Sequence, residues 1–482
     1  MSRAIWSILV IAPALLVTAL GCSSVHLAEE REDLFSQAVE ASLAGEPALA
    51  ARAAHHYQRT GSVDDSRYDR AGRLLAQNLL DLELSYASSL WYHDIAVARR
   101  DAELVEASVL RLGHIVENYP HDRWLLVDGF LATAEMARFG DEATAMVAYY
   151  QGRHSLQQGE TRWAVREFEK IPRHSPYRAR ARYVMAVRLL ADYQLDQARQ
   201  ALEELLEDFE DDLPDDLETD IYRTLARIAF EEGRFDDALE GYEAIRATAP
   251  DDPHLLLEMA WTEYYRDNYR RSLGLLLALD APTYRELIAP ERFLLEAFNL
   301  QSLCQFEPAR IAARRLGAQY GTALDDLHAG VALEDSQALR VAARRRETSQ
   351  PITSFRDRLE LERRHVEYRA DDLGARLTAE LLSLYDDALA DVDRREAELL
   401  ASEMRAVASD LLNAERGVQL VLHEISVTLL RGRGHARTGV AQAQPVFEAP
   451  RSGELVYFRF SGEFWTDEVD DLIVPLEDRC IE

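Results

Sequence analysis

The chain has 482 residues, 48% hydrophobic and 29% charged, a balance rich enough in apolar side chains to bury a sizeable core and to exclude a wholly disordered protein. Asp and Glu number 85 against 54 Lys and Arg, and the net charge of −31 repels nucleic-acid phosphates and anionic lipid surfaces, so nucleic acid is not an expected partner. Lys170 is the only lysine, so nearly every positive charge is a guanidinium, which by itself specifies no ligand.

At the start of the chain one basic residue, Arg3, precedes an apolar run from Ala4 to Leu20, the layout of a signal peptide. The run ends in Thr18-Ala19-Leu20-Gly21-Cys22, which resembles a bacterial lipobox. That resemblance implies a leader over residues 1–21 and a mature chain beginning at Cys22, whose thiolate takes a diacylglyceryl group. Ser23 and Ser24 follow, with no Asp directly after the Cys, which by the same resemblance implies the outer membrane, facing the periplasm. An uncleaved anchor is the alternative, weakened because about 17 apolar residues is the short limit for a bilayer span. No later apolar run approaches bilayer length, so the remainder is expected in an aqueous compartment.

Residues 22–144 read as a helical region with degenerate repeats. Gly45 and Ala50 fit a repeat loosely, and Ser89 to Asp122 carries Ser108, Leu112, Ile115 and Pro120 where a second helix and its stop should stand. From 145 to 323 the repetition is clear. Its best unit, Thr219 to Asp252, holds Tyr222, Leu225 and Ala226, then Gly233-Arg234-Phe235-Asp236-Asp237-Ala238, then Tyr242, Ile245 and Pro250. Large residues of the first helix are expected to pack on Ala238 and Tyr242 of the second, with Gly233 opening the turn and Pro250 stopping the hairpin. A step of 34 residues takes Phe235 to Tyr269, Ala238 to Ser272 and Leu239 to Leu273, giving a unit from Pro253 to Glu286. Gly159, Ala164 and Phe168, closed by Pro176, define another from Ala145 to Arg178, and Ala198 falls 34 residues after Ala164. Between Ala198 and Ala238 the phase slips by six across the acidic run from Glu207 to Asp216, read as a solvated loop because the glycine and ligand spacing of an EF-hand are missing. A weaker unit follows around Phe293, Leu300, Phe306 and Ala309.

Residues 324–433 carry a long apolar series, from Leu373, Leu377 and Leu381 through Val407 and Leu411 to Ile425 and Leu429, in steps of three, four and seven. This predicts one or two long amphipathic, coiled-coil-like helices that lie on the array, cap it, or meet a partner or a second copy. Over 434–482 the texture changes to a Gln- and Ala-rich linker and a strand-like tail, Leu455 to Phe460 and Gly462 to Val474, that folds back. Cys304 and Cys480 are the only cysteines after Cys22; in an oxidising compartment they could pair, although two cysteines so far apart are more often independent, and the sequence leaves the pairing open.

The repeats resemble the tetratricopeptide superfamily over about 180 residues, and over about 300 with tolerance for degeneracy. The stretch Phe458 to Glu468, ending near Cys480, resembles the tail of large periplasmic repeat proteins of gliding bacteria, although Val469-Asp470-Asp471 stands where a Leu-Gly-aromatic turn is expected. The resemblance implies an all-α fold: a right-handed tetratricopeptide-type helical-hairpin solenoid, then long amphipathic helices and a small β-like tail. It also implies a groove lined by positions 2, 5, 9 and 12 of each unit's first helix, which here are Tyr149, Arg153, Tyr183, Arg223, Arg227, Trp261 and Tyr264. Such side chains bury flat area and hold a carboxylate or a peptide carbonyl. The alternative is that they pack on the next repeat.

No nucleophile elbow, phosphate loop, dinucleotide fingerprint or His-Glu-x-x-His helix occurs in the chain. His55-His56 and His423-Glu424 lack a second cluster at ligand spacing, and pairs such as Asp386-Asp387 carry little information in so acidic a chain. No catalytic residue, metal or cofactor is therefore expected. The expected function is a lipid-anchored periplasmic scaffold that binds envelope proteins or peptides through the groove, in assembly of an envelope or motility complex. A peptidoglycan-associated or envelope-biogenesis factor, and a repeat-supported hydrolase, are the alternatives.

Overall fold

A computed structural model of the chain describes residues 32–134, 139–209, 212–246, 252–281, 284, 289–432 and 472–480. By internal packing it divides into two units, Met1–Ala181 with Pro351–Glu396, and Arg182–Gln350 with Ala397–Glu482. Among the described residues there is no strand; helices follow one another in pairs. In chain order they are α1 (32–43), α2 (Pro47–Thr60), α3 (Tyr68–Asp81), α4 (Ser85–Ala98), α5 (Ala102–Asn118), a π-helical stretch (Trp124–Leu131), α6 (Asp141–Gln157) and α7 (Thr161–Glu169). Then come α8 (Pro176–Ala191), α9 (Leu195–Phe209), α10 (Asp215–Glu231), α11 (Phe235–Arg246), α12 (Pro253–Tyr265), α13 (Tyr269–Ala278), α14 (Glu291–Ser302) and α15 (Phe306–Ala329). After α15 lie α16 (Gln337–Arg344), α17 (Gln350–Tyr368), the single turn α18 (Ala370–Leu373) and α19 (Ala375–Gly432), 58 residues long.

The repeat is written in the backbone of the turns. Gly45, Glu83, Gly159, Tyr193, Gly233, Asp267 and Cys304 all have positive φ, between 52° and 78°. In each case the next amide donates to the carbonyl five residues back, as in Arg234 N to Ala229 O (2.8 Å) and Gln305 N to Leu300 O (2.8 Å), so the helix ends in a left-handed cap that reverses the chain. Five residues past each cap stands a completely buried small residue: Ala50, Ser88, Ala164, Ala198, Ala238, Ser272 and Ala309. A larger side chain there would hold the two helices apart. Where it is serine, its hydroxyl donates to the facing helix, Ser88 Oγ to Ala76 O and Ser272 Oγ to Ala260 O, both at 2.7 Å, which satisfies a buried polar group.

Gly159 to Tyr193 and Gly233 to Asp267 are 34-residue steps, and Tyr193 to Gly233 is 40, so the six-residue slip is real. The acidic run is not all loop: Glu207 to Phe209 end α9, and Asp215 and Asp216 open α10, where with Glu218 they form a first turn whose helix dipole favours negative charge. Pro176 and Pro253 begin α8 and α12, the position at which a missing N–H costs nothing. Pro250 lies outside the described residues. The unit expected over 89–122 is built differently: α4 is the second helix of its hairpin with Ser88 at the crossing, and Ser108, Leu112 and Ile115 lie on the following helix, α5. Its turn is made by Glu83, so no glycine marks it.

In the first unit the hairpins close around Leu75, Leu79, Tyr92, Leu112 and Leu131, all fully buried. Residues 351–368 of α17 run antiparallel to 375–396 of α19, tied by Arg356 Nε to Asp393 and Arg363 Nε to Asp386, both at 2.7 Å. Glu362 on α17 is fully buried and caps α4 from afar. It accepts from Ser85 N (2.9 Å), Ser85 Oγ (2.7 Å), Tyr86 N (3.1 Å), Tyr385 OH (2.8 Å) and Arg358 Nε (2.6 Å). Burial and the neighbouring Glu362 carboxylate push the Tyr385 phenol well above its usual pKa.

In the second unit one apolar cluster joins α10 to α14 through Tyr242, Leu255, Met259 and Leu275. Another joins α14 to α16 with α19, through Phe293, Leu316, Leu339, Leu411, Val418 and Ile425. Residues 472–480 lie back along α13 and the turn between α14 and α15: Arg271 Nη1 donates to Leu472 O (3.0 Å), Val474 N to Arg270 O (3.2 Å) and Arg479 N to Leu303 O (3.1 Å). Gly274 permits this approach, since a Cβ there would stand 1.9 Å from Leu472 O. The same lie brings the two distant cysteines together. Of the two possibilities the sequence leaves open, the structure has the paired one: Cys304 and Cys480 form a disulfide across a sequence separation of 176, with Cα atoms 5.2 Å apart. The strand-like stretch 455–471 is outside the described residues.

Candidate interaction surface

Cys22 and the leader expected over residues 1–21 fall outside the described residues. Of the seven groove positions, two lie in the first unit. Tyr149 on α6 is buried against Tyr150, Phe168 and Tyr177, with ring centroids 5.3, 6.5 and 5.5 Å away. Arg153, one turn on, lays its guanidinium over the Tyr149 ring at 5.5 Å. Here the packing alternative describes Tyr149, and Arg153 is half-buried above it.

The other five lie in the second unit, on α8, α10 and α12. Tyr183 places its hydroxyl 3.1 Å from Thr224 Oγ1, and burial pushes its phenol pKa up. Arg223 is pinned by Asp252 (2.8 Å) and Glu258 (3.3 Å), and Arg227 bonds the same Glu258 (2.6 Å), so both guanidiniums are engaged by the next first helix. Arg227 nevertheless keeps 58% of its side chain exposed. Trp261 meets Tyr264 edge-on (6.1 Å) and Tyr265 in a stack (6.2 Å), and Tyr264 stacks on Phe298 of α14 (6.0 Å). Of the five, Tyr183, Arg223, Trp261 and Tyr264 are half-buried and Arg227 is exposed, and the same helix face carries residues not singled out in the sequence.

Those additional residues are found by counting back from the turns. Six before Gly159, Gly233 and Asp267 stand Arg153, Arg227 and Trp261; six before Cys304 stands Phe298, with Leu294 and Gln301 beside it. A signal was present in the Phe306 and Ala309 spacing, but the 37-residue step from Asp267 to Cys304 breaks a strict count of 34. On α14 this face is occupied. Residues of α19 lie on it: Gly417 approaches so closely that a Cβ would be 2.7 Å from Leu294 Cδ2, Gln301 Nε2 donates to Glu424 (2.9 Å), and Leu294 and Phe298 pack on the cluster holding Val418 and Val421.

His55 is a packing residue: its Nε2 is 2.9 Å from Glu380, which Arg59 also bonds. Burial works to raise the Glu380 pKa, but the hydrogen bonds from Arg59 and His55 outweigh it and hold the carboxyl below its usual range. His423 is exposed, and Glu424 serves Gln301. Among the described residues no three His, Cys, Asp or Glu side chains are placed to hold a metal ion, and no helix is long and apolar enough to cross a membrane.

The repeated left-handed cap, the small residue five positions on, and the paired helices decide the repeat type. The fold is an all-α, tetratricopeptide-type helical-hairpin solenoid. No family model and no curated protein matches the chain. Solved structures that resemble it include a tetratricopeptide repeat protein from Parabacteroides merdae (11% identity over 60% of this chain and 93% of that one, TM-score 0.26). A signal-transduction ATPase with a tetratricopeptide repeat sensor from Pyrococcus horikoshii is 14% identical over 78% of this chain and 56% of that one, with a TM-score of 0.39. Yeast Tom70 is 11% identical over 84% and 90%, with a TM-score of 0.25. At such scores these likenesses carry no statement about what the chain binds.

Proposed function

We propose that the protein is a non-enzymatic scaffold that captures protein partners on the first-helix face of its hairpins, anchored by acylated Cys22 at the outer membrane and facing the periplasm, where it serves assembly of an envelope or motility complex. The observation that carries the reading is the seating of α19 on Leu294, Phe298 and Gln301 of α14. An amphipathic helix laid into a groove at apolar anchors is a recurring mode of recognition, and here the chain supplies one such helix to one such face. On the neighbouring first helices Arg227 is exposed and Trp261 and Tyr264 are half-buried, all of hot-spot residue types. The Cys304–Cys480 bond supports an exported protein, because disulfides persist in oxidising compartments.

The test is in-cell cross-linking with recovery of the tagged protein, comparing wild type, the double variant Arg227→Glu/Trp261→Ala, and Cys22→Ala. A defined set of envelope proteins that is lost in the double variant, at unchanged helicity, and reduced without the anchor is the expected result. Equal capture by wild type and the double variant removes the groove; indifference to Cys22 removes the anchor.

A further inference from the structure

Residues 472–479 form neither helix nor strand, and their exposure alternates: Leu472, Val474 and Leu476 are half-buried, whereas Ile473, Pro475 and Glu477 are exposed. Three aliphatic side chains therefore face the second unit, Leu472 on the α10–α14 cluster and Val474 and Leu476 on the cluster that α14 to α16 form with α19. Pro475 keeps Val474 out of the helical region and sets one tight bend, across which Leu476 N donates to Val474 O (2.8 Å).

The surface beneath is built to receive main chain. Arg271 and Gln305 are 9% and 4% exposed, yet each aims a donor outward, Arg271 Nη1 at Leu472 O (3.0 Å) and Gln305 Nε2 at Glu477 O (2.6 Å). Arg270 O and Leu303 O accept from Val474 N (3.2 Å) and Arg479 N (3.1 Å), and Gly274 leaves room for the backbone to pass. Bonds to main chain are indifferent to sequence, and seats for alternate side chains supply selectivity. Without residues 472–480 the buried donors of Arg271 and Gln305 would lose these carbonyls, so the uncovered track favours another segment that brings them. These hydrogen bonds and three half-buried side chains are the noncovalent hold; the covalent closure is the Cys304–Cys480 bond, whose Cys480 is exposed and whose Cys304 is half-buried.

We infer that residues 472–480 are a disulfide-latched strap over a peptide-binding track, and that reduction by a dithiol opens the track to a non-helical segment of a protein partner with aliphatic side chains at alternate positions. A thiolate of the dithiol attacks the exposed Cys480 Sγ and expels Cys304 as a thiolate. The donor's second thiolate then attacks the donor sulfur of the mixed disulfide and expels Cys480. Two electrons and two protons pass to the two cysteines, and the donor leaves as a disulfide. Disulfides persist in an oxidising compartment, so the strap stays closed there until such a donor reaches it. The inference adds to the scaffold reading a second surface, on α13 and the turn after α14, and depends on neither Cys22 nor the first-helix residues Arg227 and Trp261.

The test follows, by fluorescence anisotropy, a labelled nonapeptide that copies residues 472–480 with Ser in place of the cysteine. It is titrated with oxidised wild type, wild type in dithiothreitol, and a full-length strap-off variant, Leu472→Asp/Val474→Asp/Cys480→Ser, whose own segment no longer competes. A latched track is open only a small fraction of the time, and apparent affinity falls by that fraction. The expected result is binding about tenfold or more tighter after reduction and tightest to the strap-off variant, with unchanged helicity by circular dichroism. Adding Gly274→Ala to that variant, or placing Asp at the first, third and fifth positions of the peptide, should each weaken binding about tenfold or more. No binding to the strap-off variant up to about 1 mM makes the strap a fixed clasp and overturns the track. No gain on reducing wild type overturns the latch. Binding unmoved by Gly274→Ala puts the peptide elsewhere, and equal binding of the Asp peptide overturns the assigned partner chemistry. None of these outcomes bears on the first-helix groove, which recovery with Arg227→Glu/Trp261→Ala tests separately.

Discussion

Glu362→Ala is the sharpest stability test of the first unit. The side chain is fully buried and accepts five hydrogen bonds, two from backbone amides at the start of α4, one from Ser85 Oγ, one from Tyr385 and one from Arg358. Each hydrogen bond to a charged group contributes about 1.5–3 kcal/mol, but the five share one carboxylate and do not add. Removing it strands the Tyr385 hydroxyl, the α4 amides and a guanidinium in a dry site, and breaking a buried charge set in this way typically costs about 3–5 kcal/mol. Urea unfolding followed by circular dichroism should show that loss as a lower midpoint, and hydrogen exchange should accelerate first at residues 85–88. Glu362→Gln keeps an acceptor and should cost less than Ala. A change under about 1 kcal/mol for Ala, with exchange at the start of α4 unaltered, would refute the reasoning, since surface changes fall in that range.

Four further outcomes are expected. Gly274→Ala should expel residues 472–480, because its Cβ would collide with Leu472 O, and Cys480→Ser should loosen them; protease cleavage after Arg479 reads both. A cross-link over a loop as long as the 176-residue Cys304–Cys480 separation is worth about 5 kcal/mol in the chain-entropy account, so reducing agent should lower the unfolding midpoint of wild type and not of Cys480→Ser. Tyr193 has φ 57° and is 92% exposed, so Tyr193→Gly should stabilise by about 0.5–1 kcal/mol, whereas Gly233→Ala at φ 74° should cost a similar amount; equal signs in denaturant titrations would contradict the turn argument. The Glu380 carboxyl titrates below its unfolded value, so its contribution is present above about pH 4.5 and is lost as pH falls through the folded pKa; Glu380→Gln should flatten the acid limb of the stability profile.

The repeat was legible because its two determinants are compositional. A small residue at each crossing and a glycine at Gly45, Gly159 and Gly233 can be read directly. Glu83, Tyr193, Asp267 and Cys304 take the same left-handed backbone without glycine, at a local cost that tertiary packing repays, so their turns were found only through spacing. The first-helix face on which the expected groove residues stand was legible for the same reason. What occupies it was not: Gln301 meets Glu424 across 123 positions and Ser85 meets Glu362 across 277, and no local pattern encodes such pairings. The disulfide was hidden likewise, since its geometry depends on Gly274 admitting a backbone 198 residues further on.

The engagement of Arg223 and Arg227 changes what the proposed groove can attract. As free guanidiniums they would favour an acidic peptide; in the structure both face Glu258, and Arg223 also Asp252. A partner carboxylate would have to compete with these intramolecular acids, and half-exposed ion pairs return little when rearranged, about 0–1 kcal/mol each. An acidic partner therefore gains little from the arginines, while the surplus of carboxylates over the whole chain, −31 net, repels it at long range and speeds the approach of a basic one. On this reasoning Glu258→Gln should release Arg227, leave Arg223 held by Asp252, and shift peptide selection toward acidic residues at the Arg227 position, whereas the wild-type protein should select aromatic and basic residues. If wild type and Glu258→Gln select the same acidic peptides, the intramolecular pairs do not govern the groove.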